Sequence, residues 1–288
     1  MIQEFLQQLE DSDVSEKTIV SYQSSWNRFE NWFSYTSPDN EVSAVYATQK
    51  DIFNFKKYLL VAGGRGGKPA SPATSQLTFV HLNAIFRFFA EKGQIANNPV
   101  GTIKKPSKAH RHSKWLTHNE QNLLIHGVRD QEHIREYAIV MTFLQLGLRV
   151  HELCDIQLTD ISMSKKESHA YIRGTADRHR ILPINSELFA VLQKYLNERN
   201  STSPYVFFSK RSTKCSERGI QHIIEKYRKL TGIKHLNCKN LRHTFGHKLI
   251  VSGNNLQNIA LLMGFYKEDG KPNVELARVY KQNFEKNI

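Results

Sequence analysis

The ten residues Cys238 to His247, CKNLRHTFGH, gather Lys239, Arg242, His243 and His247 just ahead of the apolar run KLIVSGNNLQNIALLMG. An ammonium, a guanidinium and two imidazoles so close together can hold an anion and move protons, or they can simply solvate one face of a helix. A second arginine, Arg149, stands two residues beyond Gly147, which ends the apolar stretch REYAIVMTFLQLG, and Glu152 follows one turn later. Arg149 can pair with Glu152, cap a carbonyl or face an anion.

The elements that must position these groups fall into two halves. In VSEKTIVSYQSSWNRFENWF, Ser15 is an N-cap and Ile19, Tyr22, Trp26, Phe29 and Phe33 recur at spacings of three and four, which predicts an amphipathic helix. Helices are also predicted over TQKDIFNFKKYLLVA and TSQLTFVHLNAIFRFFAEKG, separated by the loop GGRGGKPASPA. That loop lacks the GxxxxGK[ST] spacing of a phosphate-binding loop, has Pro69 at the hydroxyl position and follows no strand. Residues 104–114, KKPSKAHRHSK, hold seven Lys, Arg or His and no acid, the composition of a linker. Beyond it Thr117 caps WLTHNEQNLLIHGV, and helical periodicity continues through REYAIVMTFLQLG. SHAYIRG and RHRILPI then form a hairpin around Thr175, Ala176 and Asp177, and the chain returns to helices in SELFAVLQKYLNER, SERGIQHIIEKYRKLTG and the opening stretch. The expected organisation is a helical domain over 1–103, a linker over 104–114 and an α+β domain over 115–288.

Charge narrows the partners. Among 288 residues, 40 Lys and Arg oppose 27 Asp and Glu, a net charge of +13, which favours a polyanion whose counterions are released on binding. A membrane surface competes poorly, since no apolar run approaches the roughly 20 residues of a span and no long helix divides a basic from an apolar face. The N-terminus MIQEFLQQLEDSD has none of the marks of a signal peptide, and Cys154, Cys215 and Cys238 form no CxxC pair, so a reducing cytoplasmic setting is expected. His110 and His112 have no partner ligands at zinc spacing, and neither metal nor cofactor is expected.

Four motifs occur in order: GLRxxEL at 147–153, a basic hairpin ending in RxxPI at 180–184, KxLRH at 239–243, and the Val279-Tyr280 pair. In that order they resemble the tyrosine recombinases, the phage-integrase and Xer-like family. The resemblance covers nearly the whole chain. It implies a mainly α fold with a small β-sheet, in which a helical core-binding domain and an α+β catalytic domain clamp DNA. It implies that Arg149 and Arg242 neutralise the scissile phosphate, with Lys239 as a further donor to it. Planar, permanently charged guanidinium groups suit that task, because they bind phosphoryl oxygens bidentately as charge builds. Tyr280 matches the family's nucleophile, which forms a 3′-phosphotyrosyl link and conserves the bond energy, so no ATP or metal is implied.

The chain departs from the family at the proton-transfer positions. Lys239 replaces the usual histidine, Phe265 stands where a histidine or tryptophan is usual, and Thr175 occupies the place of the hairpin lysine that protonates the leaving 5′-hydroxyl. His179 and Arg178, with Lys165 and Lys166, are candidate replacements, and His179 has the ordinary pKa best suited to the task. His243 and His247 are expected to be structural. Tyr266 is the rival nucleophile. Lys104, Lys105, Lys108, Arg111, Lys114, Arg178 and Arg180 are expected to contact DNA. The expected partner is double-stranded DNA with an inverted-repeat core site, bound by a homodimer and joined by a homotetramer. A relative that binds DNA without cutting it is the alternative, and an RNA-binding or architectural protein would explain the charge but not the motif order.

Overall fold

The computed structural model describes residues 1–12, 14–36, 42–101, 114–164, 167–174, 178–209 and 212–285, the last four by backbone alone. The chain divides into two compact units, Met1–Arg111 and His112–Ile288.

The first unit is helical: α1 (Ile2–Asp11), α2 (Glu16–Thr36), α3 (Gln49–Val61) and α4 (Pro72–Glu91). Thr48 and Asp51 form a capping box at the start of α3, and Ser71 caps α4 ahead of Pro72 in its first turn. The aromatic stripe of α2 becomes the core, where Trp26, Phe29, Phe55, Phe79, Phe86 and Phe89 are fully buried. Their rings meet largely edge to face, as in Phe29 on Phe55 at 5.1 Å and Trp26 on Phe89 at 5.7 Å. Helix α1 was not expected from the sequence. It closes the unit through Phe5, whose ring meets Tyr22 and Phe88.

The second unit is built around α6 (Ile134–Leu146), in which every residue from Ala138 to Leu144 is buried. A helix apolar on all sides has to be covered on all sides. The cover comes from α5 (His118–Arg129), α8 (Ser186–Glu198) and α10 (Cys238–Val251). Helix α7 (Val150–Asp155) follows α6 directly, and α9 (Glu217–Thr231) packs on α5 and α7. An antiparallel sheet of β1 (Ile161–Ser162), β2 (His169–Arg173) and β3 (His179–Pro183) lies between them in chain order. The register sets Ala170 opposite Leu182 and Ile172 opposite Arg180, and these four residues face inward. Tyr171, Arg173, His179 and Ile181 take the other face, as the two-residue period of a strand requires. A smaller core of Phe245, Ile259, Ala260, Met263, Ala277 and Tyr280 joins α10 to α11 (Leu256–Leu262) and α12 (Val274–Glu285).

Candidate active site

Helix α6 ends on Gly147 in the left-handed conformation, φ +57°, and a Cβ there would collide with the Phe245 ring. The reversal makes Arg149 the N-cap of α7 and puts Glu152 at its third position, where the carboxylate accepts the Arg149 backbone N–H at 2.7 Å. Glu152 is then enclosed by three guanidinium groups. Arg180 donates a fork to it at 2.8 and 2.7 Å, Arg149 Nη1 donates at 2.8 Å, and Arg242 Nη1 lies 3.6 Å away. The arginines are themselves held in place: Arg149 Nη2 donates to the Gly264 carbonyl at 2.9 Å, and Arg242 donates to the Gly147 carbonyl at 2.7 Å and to that of Met263.

Burial alone would raise the Glu152 pKa, but the hydrogen bonds and charge of Arg180, the Arg149 N–H and the charge of Arg242 hold it at about 2. One carboxylate against three cations leaves two positive charges uncompensated. Burial, and then the charges of Arg149 and Arg180 against the favourable Glu152, lower Arg242 to about 10, so it stays charged at neutral pH. Beside this cluster opens a cavity of about 160 Å³ lined by Arg149, Arg178, Arg180, Gly264, Phe265 and Tyr266. Its size and charge suit a phosphate group. The arginines can neutralise that group without any change of position, which is how preorganised charge stabilises a phosphoryl transition state.

Phe265 adds a floor. Its ring lies 6.0 Å from the Arg149 guanidinium and 5.5 Å from that of Arg242, within cation–π range, and stacks on Tyr280 at 6.4 Å and 16°. Tyr280 is 2% exposed, and burial raises its hydroxyl to about 12 against the pull of Arg242 and Arg149. Its ring rests on the backbone of α10 at Gly246, where a Cβ would stand 2.5 Å from Cε1.

The predicted residues separate in the fold. Arg149, Arg242, Phe265 and Tyr280 come together, and Lys239 is exposed in the first turn of α10, one turn before His243. Lys239 lines a second cavity with Arg218 and His222. Arg178 donates to the Glu268 carbonyl at 2.8 Å and lies over the Tyr266 ring, whose hydroxyl donates to the His179 carbonyl at 3.4 Å. The α11–α12 loop thus clasps the hairpin.

Two expectations are corrected. Arg180 does not reach out to DNA: it is 7% exposed, committed to Glu152, because its place in β3 points it inward. His179, the favoured of the candidate proton donors, is on the opposite face of β3 and packs on Tyr171 at 4.9 Å. His243, expected to be structural, has its Nδ1 3.1 Å from the Tyr280 hydroxyl. His247 stacks on Trp115 at 4.2 Å. Lys114 is exposed and its carbonyl accepts from Asn240 at 2.7 Å. Lys104, Lys105, Lys108, Arg111, Lys165, Lys166 and Thr175 lie outside the described residues. Sequence reasoning missed Glu152 as the shared counterion and Gly246 as the bed of the tyrosine. The glutamate of GLRxxEL was the available signal for the first, and Gly246, alone in an otherwise unbroken helical run, for the second. Among the described residues no group of His, Cys, Asp and Glu could hold a metal, and no helix is long and apolar enough to cross a membrane.

Residues 114–280 match the Phage integrase family. The chain is 29% identical over 196 residues to tyrosine recombinase XerC of Thermodesulfovibrio yellowstonii, spanning 64% of each protein. It is 26% identical over 259 residues to a tyrosine recombinase of Thermosipho africanus, spanning 87% of this chain and 85% of that one. Its fold matches XerH site-specific recombinase bound to difH substrate, a pre-cleavage complex, with a TM-score of 0.73 and 16% identity over 99% of this chain and 82% of that one. It also matches a lambda integrase dimer bound to a COC′ core site, with a TM-score of 0.75 and 17% identity over 97% and 75%.

Proposed function

The chain belongs to the phage integrase family, and we propose on that premise that it is a site-specific recombinase cutting and rejoining double-stranded DNA through a phosphotyrosyl link on Tyr280. The observation that carries this reading is the convergence of Arg149, Arg180 and Arg242 on one buried carboxylate, beside a phosphate-sized cavity whose lining residue Phe265 stacks on Tyr280. A solvated basic face would not bury two of three arginines. In this reading Arg149 and Arg242 bind the scissile phosphate, Lys239 donates to a neighbouring oxygen, and Arg180 holds Glu152 so that the other two keep their orientation.

Tyr280 attacks phosphorus and the bond to the 5′-oxygen breaks. The leaving oxygen needs a proton, and with His179 turned away, the cavity-lining groups among the described residues that bear a proton and are not committed to Glu152 are Arg178 and Tyr266. The XerH recombinase is bound to its difH substrate and lambda integrase is bound as a dimer to a COC′ core site. By analogy this chain binds an inverted-repeat site as a dimer and recombines two sites as a tetramer, with the helical unit (residues 1–103) and the basic 104–114 segment adding contacts to the duplex.

The test uses a duplex selected by the full-length chain from a random-sequence pool and nicked near the crossover, so that cleavage traps the enzyme. A covalent adduct formed by the wild type and absent from Tyr280→Phe is expected. Tight binding with no wild-type adduct would establish a DNA-binding relative that does not cut.

A further inference from the structure

We propose that His243 is a catalytic residue of the strand-transfer reaction, accepting the proton of the Tyr280 hydroxyl as its oxygen bonds to phosphorus and returning it when the strands rejoin. This rests on the recombinase reading and adds to it the base that the Lys239 replacement leaves unassigned. An ammonium has no lone pair to receive a proton.

The geometry is direct. His243 Nδ1 lies 3.1 Å from the Tyr280 oxygen, and among the described residues that oxygen has no other hydrogen-bond partner. His243 Nε2 is buried without one. Counting donors selects the tautomer. With the proton on Nδ1, both the buried phenolic O–H and Nε2 lack partners. With the proton on Nε2, the phenol donates to Nδ1 and only the Nε2–H is left. The second arrangement is the cheaper one, and it places an acceptor lone pair against the nucleophile's proton. The contact is built into the fold: the missing side chain at Gly246 lets Tyr280 lie on α10, and Phe265 stacks on the far side of its ring.

The charged groups around the pair are Lys239 and Arg242 on α10 and Arg149 at the start of α7, all cationic. Burial, followed by Lys239 and Arg242, lowers His243 to about 4, so the ring is neutral and able to accept at physiological pH. Against a phenol at about 12, transfer before attack is strongly uphill. Transfer therefore accompanies bond formation, because the oxygen loses its basicity as it joins phosphorus. The imidazolium produced is offset by the negative phosphate the arginines have drawn in. The balance closes: the O–H bond of Tyr280 and the P–O5′ bond break, the Tyr280 O–P and His243 N–H bonds form, and the 5′-oxygen leaves with its electron pair to be protonated at the cavity.

The test measures single-turnover adduct formation on the nicked duplex by the wild type, His243→Ala and His243→Asn between pH 6 and 8.5. In Asn the side-chain oxygen stands near the place of Nδ1, so it can orient the phenol but cannot hold its proton. The wild-type rate should be nearly flat with pH. The alanine variant should be about a hundredfold slower at pH 7 and rise about tenfold per pH unit, since the phenol must then ionise to solvent. The asparagine variant should regain stability and DNA binding but not rate. A deficit of equal size at every pH, full rescue by asparagine, or an alanine variant as fast as the wild type would overturn the proposal while leaving the recombinase reading intact. No adduct from the wild type would remove both.

Discussion

Replacing Glu152 by Gln keeps the shape of the site and removes the one negative charge among three buried or half-buried arginines. Its cost can be worked two ways. The Glu152 pKa falls from 4.5 to about 2, and at about 1.4 kcal/mol per unit this is on the order of 3 kcal/mol of preference for the charged form. Removing one partner of a buried ion pair costs about 3–5 kcal/mol, because the remaining charge is stranded, and here a glutamine N–H₂ would also face a guanidinium donor. The two figures overlap at about 3–4 kcal/mol. For a unit of this size that lowers its melting temperature by about 10 °C at pH 7.

The pH dependence provides the sharper readout. A folded pKa below the unfolded one means the unfolded chain binds more protons as pH falls. The stabilisation from Glu152 is therefore complete above about pH 4.5 and lost as the pH falls toward 2. Thermal denaturation across pH 2.5–7 should show wild type and variant converging at the acid end. At neutral pH the variant, though less stable, should bind inorganic phosphate or a short duplex more tightly than wild type, since its cavity has gained net positive charge. Melting temperatures within about 2 °C of each other at pH 7, with unchanged acid limbs, would refute the role of Glu152 as the shared counterion.

Gly246→Ala puts a methyl 2.5 Å from the Tyr280 ring, so adduct formation should fall at least tenfold and stability by about 1–3 kcal/mol, measured by trapping assay and thermal melt, while duplex binding persists. Arg178→Ala should reduce the slope of log affinity against log salt by about one phosphate contact, whereas Arg180→Ala should leave that slope nearly unchanged and destabilise the second unit, as salt titrations and melts on both variants will show. If Tyr266 or Arg178 protonates the leaving oxygen, Tyr266→Phe or Arg178→Ala should slow cleavage of an ordinary duplex but not of one whose leaving atom is a bridging sulfur, which needs no proton. Equal slowing on both substrates would discard that role.

Much of the site was legible before any fold. Arg149 after the Gly147 helix end, Arg242 in the KxLRH step and Tyr280 near the end each stand in a local pattern, and local pattern is what a sequence encodes directly. The aromatic spacing of α2 and the two short β runs likewise reported their elements, because periods of 3.6 and 2 follow from helix and strand geometry. Helix α1 was missed because its few apolar residues matter only once Phe5 meets Tyr22 and Phe88.

What only the tertiary structure decided is which way neighbouring residues point and what they meet. His179 and Arg180 are adjacent and basic, and the sequence offers one as a proton donor and the other as a DNA contact, yet the register of β3 against β2 buries Arg180 on Glu152 and turns His179 away. Lys239, Arg242 and His243 read as one cationic cluster, but α10 distributes them between solvent, a buried carboxylate and a phenol contributed by α12. Residue types and their order determined what chemistry this chain can attempt. Long-range packing, which no local period records, decided which nitrogen stands beside the Tyr280 hydroxyl.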